Sequence, residues 1–493
     1  MTPIPSSEPK DVMALRLAAA FAELEGREAA SDLVQRVLER HREARELDPT
    51  LHAQERFDPR GSRGRRWTFA AALLGIAVVV ALWWLQERAD EDELAPRDED
   101  WVRVYSVEDL AALPASTRAI EASGFDDADV PALLRFQGLR ALKLRTPEAC
   151  VSGLGLKTAH PPRPKSVGDA SFATLVALRE LRVLRFEGTY RVTGRELARL
   201  AELPRLVELA LSFLDVEDAE LLPLASLPSL RRLDLSFNHG FAGEGLAAIV
   251  ACRRLRALNL RGCQQLHGGA LAVLAELTLL EELDLGAIDG TSWRSDLIEK
   301  DERAQRIFAH AQRLADRLGM GPTDQALEAI GTLTRLRALN LDGAHCTTAG
   351  IAALATCDEL RELSLFGCSQ LDDGLAALLP ARLESLTVCG EFTDRFCEVV
   401  AERLRELSTL GIPACYRITD DGVMALSGLP RLAALELRQC RGLSSACLEG
   451  LARAKTLRNV DLRHCDFVDA GFVAALRARC PALVEIRSSL ESR

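Results

Sequence analysis

The stretch Leu230–Asn238, LRRLDLSFN, decides the fold because close copies of it recur along the chain. The copies include LRALNLRGC from Leu255, LRELSLFGC from Leu360, LAALELRQC from Leu432 and LRNVDLRHC from Leu457. From Leu181 onward, successive starts lie 23 to 26 residues apart, except for one longer step. A period of this length fits one short strand and one short helix in each repeat. The sequence therefore predicts a solenoid.

Within each repeat, the LxxLxL pattern places apolar side chains at alternate positions, as in a half-buried strand. A polar turn and a second apolar stretch follow, for example ITDDGVMALSGL over 418–429. One such strand cannot bury its apolar face alone, but parallel strands stacked about 4.8 Å apart form a continuous core. We expect an α/β solenoid over 101–493, with parallel strands on the concave face and helices on the convex face. Weaker repeats at Thr117 and Leu139 would follow an N-terminal cap that begins at Trp101.

These repeats resemble the leucine-rich-repeat family, whose LxxLxLxxN/C pattern is matched closely at Leu230 and Leu255. The cysteine at the last position is similar to that of the cysteine-containing class known from F-box adaptor proteins. The resemblance covers roughly three quarters of the chain. Because the family binds many unrelated partners, it implies a fold and a protein-binding surface rather than one particular function.

A second feature is the uncharged stretch Trp67–Gln86, WTFAAALLGIAVVVALWWLQ, which is about as long as a helix that crosses a bilayer. Tryptophans near both ends, a basic flank at 60–66 and an acidic linker at 87–100 favour a transmembrane helix over a buried core helix. The positive-inside bias would place the N-terminus in the cytoplasm and the repeats outside. We therefore predict a single-pass protein of the cytoplasmic membrane with an extracytoplasmic repeat domain.

The predicted domains are a cytoplasmic helical segment at 1–59, the basic flank, the transmembrane helix, the acidic linker and the solenoid at 101–493. Two insertions interrupt the repeat period, near 146–166 and 289–321. The first is rich in proline and basic residues, and is either a solvated connector or a binding loop. The second predicts an amphipathic helix, which either packs back on the repeats or docks a partner.

Composition and motifs limit the chemistry. A net charge of −11 and the lack of a basic stripe argue against nucleic acid as the main partner. The excess of arginine over lysine, with abundant alanine and leucine, suggests a bacterial source. The sequence has no GxSxG, HExxH, GxxxxGK[ST] or suitably placed GxGxxG motif, so we expect no enzyme and no cofactor. The pairs Asp372–Asp373 and Asp420–Asp421 are interpreted as helix caps.

Several cysteines occupy the repeat position that Asn238 holds in its own repeat. We interpret this structural ladder as buried side chains that donate hydrogen bonds to loop backbone. Zinc would need CxxC pairs, which are absent, so no metal is expected. Disulfides between neighbouring repeats are disfavoured because parallel side chains leave the Cβ atoms too far apart. The ladder consists of Asn238, Cys263, Cys368, Cys415, Cys440 and Cys465.

The strand pattern also predicts which side chains lie on the concave face, where a protein partner would bind. Their mixed charges suit a polypeptide better than a polyanion. They are Arg232, Asp234, Asn259, Arg261, Glu282, Asp284, Asn340, Asp342, Glu362, Glu436, Arg438, Asn459, Asp461 and Arg463.

The leading hypothesis is a non-catalytic, membrane-anchored recognition or scaffold protein that binds a protein partner through its repeats. One alternative is a transmembrane signalling regulator with an anti-sigma-like layout, in which the repeats are the external sensor. A third is a ubiquitin-ligase substrate adaptor, implied by the cysteine-containing repeats alone. The sequence leaves the oligomeric state undetermined.

Overall fold

The structure is a computed structural model that describes residues 101–146, 166–187, 191–214, 216–238, 240–263, 266, 268–286 and 322–489. The chain divides into two compact units, Met1–Ala89 and Asp90–Arg493, of which only the second contains described residues. The predicted segments at 1–59, 60–66, 67–86 and 87–100 therefore lie outside the described residues. So do almost all of the two insertions.

The described residues form a 15-stranded parallel sheet whose strands are neighbours in chain order. Each strand contributes one central leucine or similar residue to a continuous register that includes Leu209, Leu233, Leu258, Leu283 and Leu339. The strands are β1 Val102–Val104, β2 Ala119–Ser123, β3 Ala141–Arg145, β4 Val183–Glu187, β5 Glu208–Ser212, β6 Arg232–Asp234, β7 Ala257–Asn259, β8 Glu282–Asp284, β9 Ala338–Asn340, β10 Glu362–Leu365, β11 Ser385–Val388, β12 Thr409–Gly411, β13 Ala434–Glu436, β14 Asn459–Asp461 and β15 Glu485–Arg487.

A short helix follows most strands and packs on the helices of the neighbouring repeats. The α-helices are α1 Val107–Ala112, α2 Phe172–Leu175, α3 Asp218–Leu221, α4 Leu246–Val250, α5 Gly268–Leu271, α6 Asp324–Ile330, α7 Thr348–Ile351, α8 Leu375–Leu378, α9 Asp394–Arg403, α10 Asp420–Leu426, α11 Cys447–Arg453 and α12 Ala470–Arg479. Helical turns of the 3-10 type span Val130–Arg135, Asp169–Ser171, Leu197–Glu202, Leu222–Ser226, Ala272–Glu276 and Ala352–Thr356.

One hydrophobic core runs between the sheet and the helices, from Val104 to Ile486. The central strand leucine and the apolar residue two positions later both point into it, as Leu233 and Leu235 do. The residues between and beside them, such as Arg232 and Asp234, point to the opposite face. This arrangement confirms the predicted α/β solenoid, with strands on one face and helices on the other.

The two long steps in the repeat period leave the sheet intact. β3 pairs directly with β4, through Leu142 and Leu184, although the first insertion lies between them. β8 pairs directly with β9 across the second insertion, with Asp284 opposite Asn340. The extra residues are therefore additions between two adjacent strands.

The predicted localisation is corrected by the structure. Within the described ranges, no helix is long and apolar enough to cross a membrane. The longest, α9 and α12, have 10 residues each, whereas a bilayer requires about 20. A single-pass protein with extracytoplasmic repeats is therefore not supported, and the stretch 67–86 that suggested it lies outside the described residues.

Candidate functional site

The outward side of the sheet, here called the strand face, contains the fourteen residues that the sequence predicted for partner binding. Each lies on a strand or two residues after one. Seven of them line one groove of about 750 Å³, which runs across the sheet from β3 to β11. These seven are Arg232, Asp234, Asn259, Glu282, Asp284, Asn340 and Glu362.

The remaining seven are placed differently. A smaller hollow of about 200 Å³ near the C-terminal strands is lined by Glu436, Asn459 and Asp461. Arg438 pairs with Glu436 at 3.1 Å, and Arg463 pairs with Asp461 at 2.6 Å. These contacts hold Asp461 largely buried and lower the pKa of its carboxyl against the opposing effect of burial. The charged side chains predicted for this half of the strand face are therefore paired with one another.

The cations of the groove are also paired. Lys143 Nζ lies 2.7 Å from a carboxylate oxygen of Glu187, and Arg185 Nε lies 2.6 Å from Glu208. Arg232 reaches across two strands to Glu282, with 3.0 Å between Nη2 and Oε2. None of these three cations is therefore an uncompensated charge.

The carboxylates of the groove exceed the cations. Asp234 accepts a hydrogen bond from the backbone N–H of Ser236 at 2.8 Å, which leaves it a net negative charge. Glu362 projects into the same groove from β10, where it is exposed. The groove is consequently acidic between β6 and β10.

Beside this acidic region, two aspartates at the bottom of the groove share one arginine, Arg261. One Nη1 atom of Arg261 lies 3.7 Å from Asp284 and 3.6 Å from Asp342. Burial raises the pKa of the Asp284 carboxyl, and nearby Asp342 adds to the rise, while the N–H of Gly286 and Arg261 oppose it. Asp342 itself is buried and accepts the backbone N–H of Phe366 at 3.0 Å, so it supports the floor and is not exposed for binding.

Sequence reasoning missed the N-terminal part of the groove. Lys143, Arg185, Glu187 and Glu208 line it from β3, β4 and β5. The strand pattern contained a signal for three of them, because Lys143, Arg185 and Glu208 each lie next to the central leucine of their strand.

The rim of the groove carries a stacked aromatic pair that was also missed. The rings of Phe213 and Phe237 lie 4.4 Å apart between centroids, at an interplanar angle of 12°. Both residues have φ of 61°, at the turn position that Gly262 and Gly343 fill in later repeats. Glycine adopts this left-handed conformation without cost, so phenylalanine here retains some backbone strain. Phe213 thus offers a half-buried apolar surface beside the acidic region.

The six residues of the predicted ladder lie inside the turns that follow the strands, and all are buried. The Asn238 amide donates to the carbonyl oxygens of Leu211 at 2.8 Å and Leu235 at 2.7 Å. Its Oδ1 accepts the N–H groups of Leu214 and Val216 at 3.3 and 3.0 Å. One side chain therefore satisfies four backbone groups that would otherwise be buried without partners.

In four other repeats a cysteine makes the equivalent contact, each through its own thiol. Cys263, Cys368 and Cys465 each donate to a carbonyl of the preceding repeat at 3.2 Å, and Cys440 does so at 3.1 Å. Cys415 differs, because its Sγ lies 3.7 Å from the carbonyl of Pro413 in its own turn. Burial raises the pKa of Cys263 and Cys440 to about 12, so both remain protonated donors at neutral pH.

The described ranges contain no candidate metal site. There, no group of three or more histidine, cysteine, aspartate or glutamate side chains is arranged to hold an ion. The twelve described cysteines are all free thiols.

The comparison with known families agrees with this geometry. Residues 226–250, which contain β6 and the turn of Asn238, match the family described as Leucine Rich repeat. The same strand recurs in register along the 15-stranded sheet. The match covers one repeat of the array, which as a whole is an open α/β solenoid. No curated protein is significantly similar to the chain.

Solved structures with partial similarity are also repeat proteins or their complexes. An internalin, InlF, from Listeria monocytogenes is 17% identical, with a TM-score of 0.43, over 69% of this chain and 93% of that one. A chain of the yeast Rad7 and Elc1 complex is 16% identical, with a TM-score of 0.45, over 85% of this chain and 92% of that one. At such values neither likeness carries a functional conclusion. The finer predictions of an F-box-adaptor class and a bacterial source gain no support from these matches.

Proposed function

We propose that this protein is a non-catalytic recognition or scaffold protein that binds a positively charged polypeptide segment in the strand-face groove. The observation that carries the proposal is the charge balance of that groove. Its three cations are already paired with glutamates, while Asp234 and Glu362 add negative charge. Asp284 shares Arg261 with Asp342, so a single cation faces these two carboxylates. A basic segment would neutralise these carboxylates.

The dimensions of the groove support a polypeptide ligand. From β3 to β11 the sheet advances by eight strand steps, about 38 Å at about 4.8 Å per step. An extended chain rises about 3.3 Å per residue, so about 11 or 12 residues would fill the groove. The exposed part of Phe213 at the rim would accept an apolar side chain of the same segment.

A binding experiment with defined peptides tests the proposal. Fluorescent peptides of about 12 residues, alike except for basic, neutral or acidic composition, are titrated with the protein and followed by anisotropy. The basic peptide should bind most tightly, and more weakly at high salt because the charges are screened. The double variant Asp234→Asn, Glu362→Gln should weaken that binding about tenfold or more, since it removes two charges from the groove.

The matched control is Glu328→Gln, which removes an exposed carboxylate from helix α6 instead. It should leave the affinity unchanged. Equal binding of the acidic peptide, or equal weakening by the control and the groove variant, would refute the acidic groove as the recognition surface.

A further inference from the structure

A second recess lies at the edge of the solenoid where the strands begin. It has a volume of about 250 Å³ and is lined by Arg182, Pro204, Arg205, Val207, Ser229, Arg231 and Arg254. We call these seven residues the arginine pocket. It is separate from the groove of the strand face, with which it shares none of these residues.

The pocket exists because two short side chains interrupt rows of arginines. Arg182, Val207, Arg231 and Arg256 precede β4 to β7 and are direct neighbours, since each backbone N–H bonds to the carbonyl of the residue before it in this series. Valine fills the second position, where the others carry arginine. A gap therefore opens between the side chains of Arg182 and Arg231.

The adjacent row repeats this arrangement one strand further along. Arg205, Ser229 and Arg254 each lie two residues before the corresponding member of the first row. Serine is the short residue here, and it is flanked by the two arginines. Four guanidinium groups thus surround a small floor made by Val207 and Ser229.

The charge of this pocket is opposite to that of the molecule. Among the described residues that line it, none has a carboxylate, whereas the whole chain carries a net charge of −11. Glu180, outside the lining, pairs with Arg205. Arg182 and Arg231 are half-buried.

We propose that the arginine pocket binds a phosphate dianion, free or esterified. Guanidinium groups donate paired hydrogen bonds that match phosphate oxygens, and the Ser229 hydroxyl supplies one more donor. The exposed side chains of Arg205 and Arg254 leave the pocket open, so a phosphate attached to a larger molecule can enter. This site is independent of the peptide groove.

Calorimetric titration tests the site with three probes: inorganic phosphate, a short phosphoserine peptide and the same peptide without phosphate. The two phosphate-bearing probes should bind and the third should not. A peptide that binds more tightly than inorganic phosphate identifies an esterified ligand, and equal affinities identify the free anion. Because the second pKa of a phosphate ester is about 6, affinity should fall as the pH is lowered through that value.

Variants separate a built pocket from general surface charge. Arg254→Gln should weaken binding about tenfold, the loss of one charge-assisted hydrogen bond. Arg335→Gln is the matched control, because Arg335 is exposed at the same repeat position before β9, beside Leu279 and Glu359. It should have no effect.

Filling the gap gives the sharpest test. Val207→Arg adds positive charge but occupies the pocket, so binding should be lost, and Val207→Met should act alike without a change in charge. If Val207→Met retains binding, if Val207→Arg strengthens it, or if Arg335→Gln weakens it as much as Arg254→Gln, the pocket is not the site. Thermal unfolding and circular dichroism verify that each variant is folded.

Discussion

The carboxylate of Asp394 accepts two hydrogen bonds from Thr419, which lies at the start of the helix in the next repeat. The backbone N–H of Thr419 lies 2.8 Å from Oδ1, and its hydroxyl oxygen lies 2.7 Å from Oδ2. Thr419 in turn caps helix α10 by accepting the N–H of Asp421. One aspartate thus links the starts of two successive helices. The same two-point contact joins Asp169 to Thr193, Asp324 to Thr347, Asp373 to Thr393 and Asp420 to Ser444.

The first prediction concerns the glycine that makes room for this contact. A Cβ atom added at Gly422 would lie 2.4 Å from Oδ1 of Asp394. Gly422→Ala should therefore break the Asp394–Thr419 contact and lower the free energy of unfolding by about 1–3 kcal/mol. The control is Gly138→Ala, where the added Cβ meets nothing within 4 Å. Urea unfolding of both variants gives the comparison, and equal effects would show that the crowding at Gly422 is relieved elsewhere.

The second prediction compares the two chemistries of the ladder. Asn238→Leu leaves four backbone groups without a partner and should lower the free energy of unfolding by at least about 3 kcal/mol. Cys440→Ala removes one weak thiol donor and little volume, so about 1–2 kcal/mol should be lost. Thermal unfolding measures both. If Asn238→Leu lowered the free energy of unfolding by less than Cys440→Ala, the four hydrogen bonds of Asn238 would not be what stabilises the turn.

The third prediction is a dependence of stability on pH at Asp284. Burial raises the pKa of this carboxyl, so the folded state holds its proton to a higher pH than the unfolded chain does. Its contribution to stability is complete below the unfolded pKa of about 3.9 and is lost as the pH rises through the folded pKa. Asp284→Asn, which still accepts the N–H of Gly286, should therefore stabilise the protein at about pH 7 and have little effect at about pH 3. Urea midpoints across this range provide the measurement, and a gain that grows toward acid pH would reverse the assigned sign.

The fourth prediction concerns thiol reactivity. Burial raises the pKa of Cys252 and Cys357 to about 11, and that of Cys263 and Cys440 to about 12, so few of these thiols ionise near pH 8. Iodoacetamide should label them only as fast as the native protein opens. Among the twelve described cysteines, half-buried Cys389 should be modified first. Mass spectrometry of timed samples assigns each site, and rapid labelling of Cys440 in the native protein would show that its turn is open.

The sequence alone was sufficient to predict the sheet, because the leucines at 230, 233 and 235 define both the strand and its buried side. Alternation along the strands also predicts which side chains point outward, and Arg232 does so, whereas Asp342 is buried. The contact made by Asp420 is harder to predict from the sequence. The sequence favours a helix cap at this position, but Thr419 caps the helix and Asp420 accepts hydrogen bonds from Ser444. Spacing within one repeat does not reveal this contact between repeats.

The arginine pocket could not be found from any one repeat either. Its two decisive residues, Val207 and Ser229, are ordinary in themselves and matter only because arginines occupy the neighbouring positions. Aligning the repeats by strand register would have exposed both interruptions. Charge balance in the groove likewise depended on which cations found glutamate partners, as Arg232 did two strands away.

Because β8 pairs directly with β9, the sheet does not require the residues inserted between Gly286 and Pro322. A segment joined to two strands that already hold each other can lengthen, shorten or be exchanged without shifting the register of any repeat. Natural sequence variation can therefore accumulate there with little effect on stability. A foreign reporter domain inserted between Gly286 and Pro322 should leave the pairing of the strands unchanged.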